Sequence, residues 1–85
     1  MNQNVWEKYT EANDFNEAHR KFRRDILNLS SAELMQILEN ATAFLEQARN
    51  KNRNGEDITN QIKRFCLLMN DVTDECTKRM MQRYH

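Results

Sequence analysis

The chain has 85 residues, a formal net charge of zero, 39% apolar and 31% charged residues, one Gly and no Pro. That length leaves room for a single core, and so few turn formers exclude a sheet protein, whose strands must reverse often. The balanced charge argues against wholesale binding of a polyanion.

Apolar residues recur in steps of three and four at Val5, Tyr9, Ala12, Phe15, Ala18, Phe22, Ile26 and Leu29. This spacing predicts one amphipathic helix over about residues 4–28. Ser30 and Glu33 form a capping-box pattern, with Leu29 and Leu34 placed as a hydrophobic staple, so a tight reversal and a second helix over about 31–52 are expected. Its stripe is Leu34, Ile37 or Leu38, Ala41, Leu45 and Ala48. Nothing apolar lies between Arg49 and Asn54, and Gly55, with Asn54 and Asp57 as caps, marks the next turn. A third helix over about 57–83 carries Ile58, Ile62, Phe65, Met69, Val72, Cys76 and Met80 on one face. Three helices joined by short connections predict an all-α, up-down-up bundle of long amphipathic helices, one domain over residues 1–85, in which the first and third helices run parallel.

Within each helix acidic residues precede basic ones, which complements the helix macrodipole. In the predicted topology Arg20, Lys21, Arg23 and Arg24 share an end with Lys78, Arg79 and Arg83, opposed chiefly by Glu33, so a basic pole is expected. Such a pole is a dipole-compensating end or a surface for acidic protein or phosphate.

The chain offers little chemistry. His19 and His85 have no partner at zinc-ligand spacing, and His19 reads as a boundary residue beside Phe15 and Phe22. Cys66 and Cys76 lie ten residues apart, a helical rise of about 15 Å that forbids a disulfide between them. Both read as free thiols packed in the core. Carboxylates sit among i, i+4 partners, as Glu17 does with Lys21, and no Gly-rich phosphate cradle is present. We therefore expect no catalytic residues, no metal, no cofactor and no enzymatic activity.

What stands out is apolar surplus. Phe65 to Met69 are five consecutive apolar residues, more than one buried face accommodates. Trp6, Met35, Phe44, Leu67 and Met81 fall beside their core stripes and are expected to form a contact surface. The reading that follows is a regulatory or inhibitory protein that presents a helix face to a larger protein partner and self-associates, as a homodimer by preference. The alternative is nucleic-acid binding through the basic pole. No run approaches the ~20 apolar residues of a membrane span, and Met1–Thr10 lacks the order of a signal peptide. No membrane contact and a cytoplasmic location are the expectation.

Overall fold

The computed structural model describes residues 4–83; Met1 and His85 lie outside them. All regular structure among the described residues is helical: α1 (Val5–Thr10), α2 (Phe15–Leu27), α3 (Ser31–Arg53) and α4 (Thr59–Arg83). The molecule is a rod 49 Å long and 24 Å across. No helix among the described residues is long and apolar enough to cross a membrane.

The single helix expected over 4–28 is two helices. Asp14 interrupts it as an N-cap, accepting from the Glu17 amide at 3.2 Å. α1 ends at Thr10, where the Arg64 guanidinium donates from Nη1 to the carbonyls of Thr10 (2.9 Å) and Ala12 (3.1 Å). These carbonyls close a helix end and would otherwise lack partners. Arg64 also lies 5.0 Å from the centre of the Phe15 ring, so one side chain from α4 fixes both sides of the break.

Register explains why the chain turns back here. α2 and α4 run parallel: Ala12 meets Arg64, His19 and Arg23 meet Asp71, and Ile26 meets Arg79. Continuing α2 backwards in that register would set Val5 to Tyr9 against Asp57 to Gln61, beside the α3 end from Arg49 to Asn54. Only Ile58 is apolar there. By reversing, α1 instead buries Trp6, Tyr9 and Thr10 against α2, α3 and α4. Along α3 it advances from Asn40, whose carbonyl accepts from Asn4 Nδ2 at 3.2 Å, towards Lys51, which pairs with Glu11 at 3.3 Å. The four helices therefore alternate in direction, and the three-helix count is corrected to four.

Trp6 sits at the middle of the core. It is fully buried, its ring centre lies 4.8 Å from Phe65 and 5.9 Å from Phe22, and its indole N–H donates to the Ile37 carbonyl at 2.8 Å. A wholly buried indole requires such a partner. Phe44 stacks on Phe65 at 4.9 Å and is buried as well. The expectation that Trp6 and Phe44 stand on an outer surface is thus overturned. α1 covers the flank of α3 that a three-helix arrangement would leave open, and the core follows it from Leu45, which is exposed, to Phe44.

The two reversals between longer helices form as local chemistry dictates. Ser30 Oγ accepts from the Glu33 amide at 3.1 Å and Glu33 Oε1 accepts from the Ser30 amide at 3.0 Å, a complete capping box. Leu34 is buried and Leu29 packs against the core. Gly55 takes φ +90° after the Asn54 C-cap, and Asp57 accepts from the Thr59 amide at 3.0 Å.

Candidate functional site

Among the described residues no three His, Cys, Asp or Glu side chains come together as a metal site. Half-buried His19 stacks on Phe15 at 5.4 Å and shares the Asp71 carboxylate with Arg23. It is a boundary residue tying α2 to α4, and its hydrogen bond with Asp71 is a contact the sequence pattern does not announce. Cys76 packs against the core, whereas Cys66 is exposed, contrary to the expectation for it. One further buried polar contact links α1 to α2: Tyr9 donates its hydroxyl to Asp25 at 2.8 Å. Burial, and then the bond to Asp25, push the Tyr9 phenol up to about 12.

The apolar surface lies elsewhere. Near the end of the rod where α3 begins and α4 finishes, Leu34, Met35, Cys76 and Met80 line a groove of about 220 Å³, with Ser31, Arg79 and Arg83 at its rim. Met35 is 55% and Met80 60% exposed, one on each bank. The core position expected for Met80 is thereby corrected. It is exposed because the α4 stripe continues beyond the last turn that α3 and α2 can cover: Arg79, one residue before it, already reaches Ser31 at the first turn of α3.

The seam extends along the rod. On α3, Met35, Leu38 and Leu45 recur at helical spacing, with Thr42 as the one polar position in the row. On α4, Met80, Cys76, Met69, Cys66 and Ile62 do the same, with Thr73 as the polar position between Cys76 and Met69. Leu38, Ile62, Met69 and Cys76 are half-buried with one side on the core. Leu67 and Met81 are also exposed, Leu67 to 48%. They lie on the opposite flank of α4 from the groove, because positions 67 and 81 fall near the turn positions of Asp74 and Lys78, which face α2. Of the five residues expected to act together, Met35 alone lines the groove, Leu67 and Met81 are exposed apart from it, and Trp6 and Phe44 are core. Leu27, exposed at the end of α2 beside Lys78, carries no signal in the sequence because it falls off the α2 stripe.

The parallel run of α2 and α4 does bring both basic clusters to one end. Their roles differ. Arg79 is a brace, held by Glu75 at 2.8 Å and reaching Ser31 Oγ and the Ile26 carbonyl at 3.4 and 3.3 Å. Through the last contact it adds a second donor to the Ile26 carbonyl, which also accepts from the Leu29 amide at 3.3 Å. Arg23 pairs with Asp71 at 3.3 Å. Glu33 therefore does not offset the cluster alone; Asp71 and Glu75 take part. Arg20, Lys21, Arg24, Lys78 and Arg83 are exposed and make no ion pair among the described residues. Glu17, Arg20, Arg23 and Arg24 border a shallow cleft on α2. The outcome is an apolar groove with cations around one end. No family model, curated protein or solved structure matches the chain.

Proposed function

We propose that this chain is a non-enzymatic binding protein that regulates a larger protein partner by accepting an amphipathic, acidic helix of that partner in the α3/α4 groove. The observation that carries this reading is the pair Met35 and Met80, more than half exposed on opposite banks of an apolar groove. Methionine is unbranched and polarisable, and surfaces that bind helices of varied sequence use it for that reason. Arg83 on the rim, which makes no ion pair among the described residues, favours an acidic residue beside the apolar face of the ligand.

The test uses methionine-methyl NMR on the intact chain with a panel of amphipathic helical peptides, acidic and basic. Acidic peptides are expected to shift the Met35 and Met80 methyls, and Met80→Glu to abolish the shift. Peptides that bind without moving either methyl, or no binding by any acidic peptide, count against the reading.

A second reading rests on the exposed cations Arg20, Arg24, Lys78 and Arg83 at one end of the rod: contact with nucleic-acid phosphates. Binding to duplex DNA that weakens steeply and log-linearly with salt would support it.

A further inference from the structure

We infer that α1 is an exchangeable element and that two copies of this chain form a dimer by trading it. Three observations lead there, none of which involves the methionine groove. The first is that the apolar stripe of the first 29 residues does not notice the break. Val5, Tyr9, Ala12, Phe15, Ala18 and Phe22 keep helical spacing straight through residues 11–14, and those residues, Glu-Ala-Asn-Asp, include neither Gly nor Pro. The segment is therefore competent to be helical, and a straightened α1–α2 helix is a second low-energy conformation of the same stretch.

The second observation is that the break is held by a few separable contacts: the Asp14 cap on Glu17, and Arg64 on the Thr10 and Ala12 carbonyls. Straightening releases the former and places the carbonyls in helical hydrogen bonds.

The third concerns what a straightened chain does with Trp6. In the register of α2 against α4, residues 5–9 would project beside the polar stretch from Asp57 to Gln61, where the body has almost nothing apolar to offer them. At the same time the slot between Phe22, Ile37 and Phe65 that held Trp6 would stand open. A second copy in the same state supplies the matching slot and needs the matching helix. The exchange is reciprocal and closed, as two-fold symmetry requires, and the contacts of α1 outside the hinge are remade in trans. Only the hinges differ in energy, so the balance is set by hinge sequence and protein concentration.

Hinge variants with light scattering, followed by isotope-filtered NMR on dimers of mixed labelled and unlabelled chains, test this. Wild type is expected to show a concentration-dependent dimer approaching about a millimolar. Asp14→Ala removes the cap from both closed hinges and is expected to raise the association constant about thirtyfold. Ala12→Gly, which disfavours the straight helix, lowers it. In mixed dimers the Trp6–Phe65 ring contact is expected between differently labelled chains. The inference is overturned if wild type stays monomeric at about a millimolar. It is equally overturned if the dimer shows that contact only within one chain, which would place the interface on another surface. If Asp14→Ala fails to fold, wild type and Ala12→Gly decide the question alone. Met80→Glu leaves exchange unchanged, which separates this inference from the proposed groove.

Discussion

The Trp6 indole donates to the main-chain carbonyl of Ile37 at 2.8 Å, so the shortest helix is anchored to the first third of a long one by a hydrogen bond at the core. The contact fixes where α1 sits along α3, while the ring itself fills the space between Phe22 and Phe65. Trp6→Ala leaves a cavity and an unfilled slot, and is expected to cost ~3 to 5 kcal/mol in urea unfolding. A chain of this size has a margin of about that amount. Trp6→Phe keeps most of the apolar bulk and loses the donor, so its cost is expected to be smaller, and a Phe as costly as Ala would show that apolar bulk is not what the site requires.

Arg64 closes α1 by donating to the Thr10 and Ala12 carbonyls and covers Phe15 with its guanidinium face. Arg64→Ala should cost ~1.5 to 3 kcal/mol. Arg64→Lys should recover little of it, because an ammonium lacks the planar face that stacks on the ring and the fixed fork of donors. Hydrogen exchange checks the cause: amides of α1 should lose protection first, ahead of those in the middle of α3.

Tyr9 gives the fold an alkaline limit. Its phenol is pushed up to about 12 by burial and by the bond to Asp25, against an ordinary value of 10. A group whose folded value is raised contributes stability that is fully present below its unfolded value and is lost as pH rises through the folded one. Stability should therefore decline between pH 10 and about 12. Tyr9→Phe should flatten that arm of the profile while costing about 1 kcal/mol at neutral pH for the lost hydrogen bond. On the acid side, the Glu33 and Asp57 carboxyls are held low by the backbone amides of Ser30 and Thr59. Their contribution is present above ordinary carboxylate values and fades as pH falls through their lowered ones. Chemical denaturation across pH reads both arms.

Phe44 and Leu45 are neighbours in sequence with opposite surroundings, the first buried on Phe65 and the second exposed. Phe44→Ala should cost ~3 to 5 kcal/mol. Leu45→Ala should cost well under half of that, since a half-exposed side chain loses little contact area. Thermal melts of the two variants make the comparison directly.

The same pair shows what was legible in the sequence. From Ala41 both 44 and 45 satisfy helical spacing, and periodicity alone cannot choose between them; the partner helix does. Turns written in local chemistry, such as the Ser30–Glu33 box and Gly55, were readable because every participant lies within a few residues. The break at residues 11–14 was not, although Asp14 and Glu17 repeat the pattern of Ser30 and Glu33. There the apolar stripe continues unbroken, and the residue that closes α1, Arg64, is more than fifty positions away. Trp6 was misplaced for the same reason, since its environment exists only once α1 has folded back. Of the surface, the exposure of Met35, Leu67 and Met81 could be read from their distance to the stripes. The exposure of Met80 could not, because it depends on where α3 starts.

α3 and α4 outrun their shorter neighbours, and their shared tip around Gly55 is polar, with nothing within 4 Å of where a Cβ would stand on that glycine. Extra sequence spliced there meets only water, so a reporter domain or epitope inserted between Asn54 and Glu56 would ride on the rod without touching Trp6 or the methionines at the far end. That makes the tip a natural handle for following this protein.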